Sequence, residues 1–221
     1  MPDLPDVTFP RDRRIDPSVR SVLVPHWSNL APEDVVDGVT SMRRTLIDCM
    51  RNLPLEESVP IADSAVRAGD ITSPALVRLA ASMRGRGRRR AMAVAAMATA
   101  AAANAYESTL RAIASTVPGL NVEPQRPIRI ADGRVLHPDL LDERLGIVIE
   151  AESFTWHGET AALTRDCARY NAFVTQGLIV IRFSWPQVIF RPAYVVEVLA
   201  NAVALAHRHA NVARGAPAYA A

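Results

Sequence analysis

Lysine is missing from this 221-residue chain: all 25 of its Lys and Arg positions are arginine. Chemistry that needs a lysine amine is therefore excluded, including Schiff-base catalysis, a P-loop lysine and a kinase-type lysine. Cysteine is nearly missing too. Cys49 and Cys167 stand far apart without metal-ligand spacing, which reads as two reduced thiols of a cytosolic protein. There is little excess charge, a formal +2, so global charge gives no push toward nucleic acid and any such argument must rest on a local patch. The longest apolar run, Ala91 to Tyr106, is mostly alanine, too short and too weakly hydrophobic to span a bilayer but well suited to a helix. The N-terminus, MPDLPDVTFPRDRR, is charged and proline-rich and does not read as a signal peptide. Together these absences point to a cytoplasmic protein with no membrane association.

What is present is apolar residues, 49% of the chain, enough for a sizeable core. Residues 1–40 read as irregular, with one strand-like piece at Ser21 to His26. Helices are expected from Thr40 or Ser41 to Leu53, from Leu55 to Ala68 with a stop at Gly69, and from Ser73 to Met83, capped by Ser73. Leu46, Cys49, Met50 and Leu53 share one face of the first. The alanine-rich helix follows, so residues 41–103 form a helical unit.

After Asn104 the pattern changes. A helix over 105–117 ends at Pro118-Gly119. Short strands are expected at 127–130 and 134–141, and buried strands at 145–152 (LGIVIEAE) and 178–183 (LIVIRF). Helices are expected at 161–176 and 192–209, the first burying Cys167 by default. The order α-β-β-β-α-β-α contains a βαβ unit and hence a parallel strand pair. The fold class is α/β (α+β): a small helical region at 1–103, a core with a central mixed sheet at 104–210, and a tail at 211–221.

Acidic residues stand out in the second half: Glu107, Asp139, Glu150 and Glu152, with His157 just beyond. Glu150 follows Ile147-Val-Ile in a strand expected to be covered on both sides, where a carboxylate is costly unless paired or metal-bound. Positions 148, 150 and 152 share a face. A turn centred between 143 and 144 pairs 139 with 148 and puts Asp139 on that face, whereas a one-residue slip reverses it. Asp139 and Glu150 could then hold Mg²⁺ or Mn²⁺ beside a phosphodiester. The plainer alternative is that Glu150 and Glu152 mark the solvent-exposed end of a strand.

The series Glu107-Ser108, Glu123-Pro-Gln125, His137-Pro-Asp139, Glu150-Ala-Glu-Ser-Phe154 with His157, Arg165-Asp166 with Arg169 and Asn171, and Val180-Ile-Arg182-Phe-Ser-Trp185 resembles one bacterial family. It is the widespread family related to the very-short-patch-repair endonuclease, within the restriction-endonuclease-like (PD-(D/E)xK) superfamily, and the resemblance covers about residues 104–208. Residues 20–100 resemble the helical middle region of actinobacterial abortive-infection antitoxin-like proteins, with no counterpart to their winged helix. The resemblance implies that Asp139 is the metal-binding aspartate, Glu150 the second acid and Glu107 a third. His157 would transfer a proton, and Gln125 is a positioning candidate. The superfamily's lysine position, two after Glu150, holds Glu152. Arg165 or Arg182 could replace the lost positive charge electrostatically but not as a base.

The run Arg84-Gly-Arg86-Gly-Arg88-Arg89-Arg90 is the local patch that could contact DNA phosphates, or simply a solvated linker. Arg43 and Arg44 are expected on an exposed helix face. Asp166 and Arg169, three apart, are expected to pair on a helix surface. Two functions are therefore expected: a metal-dependent DNA endonuclease or nickase, or a non-catalytic DNA-binding, antitoxin-like regulator with a cognate toxin or other protein partner.

Overall fold

A computed structural model describes residues 4–152 and 160–215, apart from the side chains of 160–162 and 212–215. The chain divides into two compact units, Met1–Asp48 and Cys49–Ala221, and is a mixed α+β protein.

In the first unit, β1 (Asp6–Phe9) pairs in parallel with β2 (Val24–Trp27), the region expected to be strand-like. β3 (Val35–Val36) and β4 (Val39–Thr40) form a hairpin closed by Asp37 and Gly38, both at positive φ (50° and 78°), as a two-residue turn with matching twist requires. Helix α1 (Met42–Asn52) begins after them, and its residues from Cys49 onward belong to the second unit. Arg44 is not on an exposed face: its guanidinium bonds Ser28, Asp34 and Asp48, and its side chain is 13% exposed. Buried Asp34 draws it inward, whereas Arg43 stays exposed.

In the second unit, α2 (Leu55–Ala68) ends at Gly69, as the sequence implies. Helix α3 (Ser73–Ser82) follows, but its cap is Thr72, whose hydroxyl accepts from the Ala75 amide, with Ser73 and Pro74 already inside. The alanine-rich run is not one helix. Helix α4 (Arg88–Met97) stops at Ala98, and α5 (Ala105–Ala114) starts anew at Asn104. The reason is capping: the Asn104 Oδ1 accepts from the Glu107 amide at 3.0 Å. A buried ion pair crosses these helices. Asp63 of α2, fully buried, receives Arg111 of α5 at 2.7 Å and the Thr99 amide at 2.9 Å. Helices α2 and α5 thus pack together across residue 103, within one unit.

The central sheet has β5 (Glu123–Pro124), β8 (Leu140–Asp142), β9 (Ile147–Glu152) and β10 (Ile179–Ser184), in the spatial order β10-β9-β8-β5. Between β5 and β8 the chain makes a separate hairpin, β6 (Ile128–Arg129) with β7 (Val135–Leu136). The single strand expected at 134–141 is therefore broken, at His137-Pro138, where proline cannot donate to a ladder. β9 and β10 are parallel and joined by α6 (Thr160–Val174), as the βαβ pattern predicts, and the other pairs are antiparallel, so the sheet is mixed. Helix α7 (Trp185–Phe190), which the sequence reading missed, precedes α8 (Pro192–Gly215).

Strand alternation sorts the core. Leu140, Ile147 and Ile149 join Leu110, Phe183, Val195 and Leu199 on the face covered by α5 and α8. Leu141 and Val148 join Phe173 of α6 on the other. Even-numbered β9 residues therefore face α6, and Glu150 and Glu152 follow Val148 onto that face. Cys167 of α6 is exposed, not buried.

Candidate functional site

The ladder between β8 and β9 pairs Leu140 with Ile149, Leu141 with Val148 and Asp142 with Ile147. Continued by one residue, it puts Asp139 opposite Glu150. The register differs by two residues from the one the sequence suggested, because the turn spans 143–146. A two-residue shift keeps Asp139 on the face of Glu150, and the two side chains are hydrogen-bonded to each other. Glu150 is only 5% exposed. It does not mark a solvated strand end.

Burial and the neighbouring Asp139 charge push the Glu150 carboxyl up to about 7. Burial also raises Asp139, offset by the Ala151 amide, which donates to its Oδ2 at 2.8 Å. Glu150 is therefore the member of the pair that carries the proton, which it donates to Asp139. By contrast Asp142, also buried, accepts from the Asn121 and Leu145 amides and only holds its turn.

Glu107 joins them through a third residue. Gln125 donates from Nε2 to Glu107 Oε2 at 3.2 Å and to Asp139 Oδ1 at 3.4 Å. Its backbone sits at φ 54°, a conformation that costs energy for a side chain larger than glycine. That conformation is held by its amide on the Asp139 carbonyl and by the His137 ring on its own carbonyl. Glu107 also has structural work: it accepts from the Ala103 amide and the Asn104 side chain, both at 2.8 Å. Burial raises its carboxyl above the ordinary range.

On the α6 side, Arg169 donates from Nη2 to Glu150 Oε1 at 3.0 Å and to the His137 carbonyl at 2.6 Å. It does not pair with Asp166. Glu152, at the lysine position implied by the resemblance, is bound by Arg182 at 2.8 Å and by the Tyr170 hydroxyl, and the Arg182 guanidinium lies 3.7 Å from the Tyr170 ring centroid. Those hydrogen bonds and the Arg182 charge outweigh burial and hold the Glu152 carboxyl below its usual range. Tyr106 donates to the Phe183 carbonyl at 2.6 Å, at the ends of β9 and β10.

The structure thus brings together Glu107, Gln125, Asp139 and Glu150, with Glu152 and Arg182 adjacent. His157 lies outside the described residues, as do Phe154 and Trp156. Arg165 is exposed on α6. Among the described residues, no group of three or more His, Cys, Asp or Glu side chains is arranged to hold a metal. The donor set is therefore an acid pair with a glutamine-bridged third acid. Sequence reasoning missed Arg169 and Tyr170 as site residues. The available signal was their sharing of a helix face with Phe173, which puts an arginine beside the apolar side of α6.

In the arginine run, Arg90 donates to the Asn52 and Leu53 carbonyls at the end of α1, and Arg88 to Ala81 of α3. Arg84, Arg86 and Arg89 are exposed, with no partner among the described residues. Gly87, at φ 82°, lets the run approach α1: a Cβ there would lie 2.5 Å from Arg51 Cγ and 2.8 Å from its carbonyl oxygen.

Among the described residues, no helix is long and apolar enough to cross a membrane. Set against protein-family models, curated proteins and solved structures, the chain matches none of them. The resemblance described above therefore rests on the quoted motifs alone.

Proposed function

We propose that this chain is a metal-dependent DNA endonuclease or nickase with a restriction-endonuclease-like core, acting in the cytoplasm. The observation that carries the reading is the hydrogen-bonded Asp139–Glu150 pair, in which Glu150 is buried with its carboxyl raised to about 7 and Asp139 is half-buried with its carboxyl raised by desolvation. Two carboxylates packed together repel when both ionise, and a divalent cation relieves that repulsion as a proton does. The residues fit such an ion. Mg²⁺ is commonly held by one or two carboxylates, with water and substrate phosphate completing its shell. Asp139 and Glu150 would hold it, and when bound it would polarise a phosphoryl oxygen and lower the pKa of water.

The chain's own residues do the rest. The Ala151 amide fixes one Asp139 oxygen and Gln125 steers the other. Arg169 orients Glu150. Proton transfer is assigned to His157 on the resemblance alone. Arg84, Arg86 and Arg89 would contact phosphates, with Arg165 beside them in role.

The test is nicking of supercoiled DNA by purified protein with Mg²⁺ or Mn²⁺. Asp139→Ala should abolish it, and cleavage that survives the substitution would overturn the assignment.

A second reading is favoured by one observation, the neutralisation of Glu152 by Arg182 and Tyr170. A fold that holds a glutamate there in a closed network suits a non-catalytic, antitoxin-like DNA-binding regulator with a protein partner such as a toxin. It predicts salt-sensitive DNA binding without metal, lost when Arg84 to Arg90 are neutralised.

A further inference from the structure

We infer that Arg169 is a phosphate-binding residue of this site, taking a non-bridging oxygen of a nucleic-acid phosphodiester. The inference rests on reading Asp139 and Glu150 as a phosphodiester site. It begins from charge. Asp139, Glu150 and Glu107 gather three acids, and an anionic phosphate approaching them needs a cation close by. Beside any metal ion, a permanently charged side chain that meets that phosphate is, in a lysine-free chain, an arginine. Arg182 is engaged by Glu152 and stacked on Tyr170. Arg111 is sealed in its pair with Asp63. Arg67 donates to the Ala102 carbonyl. Arg169 is left as the arginine that touches the acid pair.

Its geometry suits the role. One nitrogen, Nη2, is anchored on Glu150 and the His137 carbonyl, and the guanidinium carbon lies 5.4 Å from the Phe173 ring centroid. Nε and Nη1 make no hydrogen bond among the described residues, and the side chain is 30% exposed. A guanidinium held at one corner, with its other donors open, is pre-organised for an oxyanion, which it binds with little further loss of freedom. A purely structural arginine would direct its donors inward, as Arg111 does with Asp63 and the Met97 carbonyl.

The experiment is fluorescence anisotropy of a short labelled DNA duplex with the full chain, with Ca²⁺ and without metal, over a series of salt concentrations. Removing one phosphate contact lowers the slope of log K against log salt by about 0.9. Arg169→Ala should show that decrease, and Arg169→Lys should restore the slope, since an ammonium also neutralises a phosphate. Arg78→Ala, an exposed residue of α3, should leave it unchanged. Thermal unfolding of each variant reports whether the fold is kept. An unchanged slope in folded Arg169→Ala, an unrestored slope in Arg169→Lys, or no DNA binding by the wild type at low salt overturns the inference. If the slope depends on Arg169 while no condition yields cleavage, the phosphate contact stands and the nuclease reading falls.

Discussion

Glu150→Gln tests the electrostatics of the acid pair directly. A carboxyl raised from the ordinary 4.5 to about 7 makes the folded state bind more protons than the unfolded chain between those values. Stability from the neutral carboxyl is then fully present below pH 4.5 and lost as pH rises through about 7. At about 1.4 kcal/mol per pH unit, the interval corresponds to about 3 kcal/mol, lost between pH 5 and pH 8 in metal-free protein. Glu107 and Asp139, raised by burial, add to the same trend. Glu152, held low by Arg182 and Tyr170, acts with opposite sign, but only below pH 4.5, outside the measured window. Glutamine keeps the shape, can donate to Asp139 and does not ionise. The assay is urea unfolding in EDTA at intervals from pH 5 to pH 8. The wild type should lose stability across that range, and Glu150→Gln should remove most of the slope. Equal slopes in the two proteins, or a wild type that gains stability toward pH 8, would refute the reasoning.

Other substitutions test the supports of the site. Asp63→Ala strands Arg111, which is 5% exposed, and should cost about 3–5 kcal/mol in chemical denaturation. Gly87→Ala meets both a positive φ and the Arg51 backbone, so a loss of at least about 1 kcal/mol is expected, with a falling Tm as the readout. Asn104→Ala removes the α5 cap and a donor to Glu107. It should cost about 1 kcal/mol in urea unfolding, and no change in midpoint would contradict the capping role.

Much of this fold is written in local pattern. Continuous apolar runs mark β9 and β10, and the length between them marks the crossover helix. Gly69 and Gly177 mark helix ends. Where the sequence reading failed, a nearby chemical detail outweighed a bulk signal. Alanine propensity suggested a helix running on through 91–103, yet α4 ends at Met97, whose carbonyl takes Arg111 while the Thr99 amide goes to Asp63; the separate helix from 105 was expected, and Asn104 caps it. His137-Pro138 cut a strand that apolar content alone would have continued. At the site, alternation was enough to place Glu150 and Glu152 on one face. The placing of Asp139 depended on how many residues the turn consumed, which no pattern specifies. Arg169 and Tyr170 reach their carboxylates only because the crossover returns α6 over β9. Such contacts are tertiary and leave no spacing in the sequence. Glu107 and Asp139 are linked by Gln125 in a left-handed backbone conformation, which residue type did not announce.

We propose Asp139 and Glu150 as a divalent-cation site. Isothermal titration of the purified chain with Mn²⁺, against Asp139→Ala and Glu150→Gln, tests it most directly. Saturable binding to the wild type is expected, with release of protons near pH 7, weakened at least tenfold by either substitution. Undetectable binding to the wild type, or equal affinity in all three proteins, would contradict it.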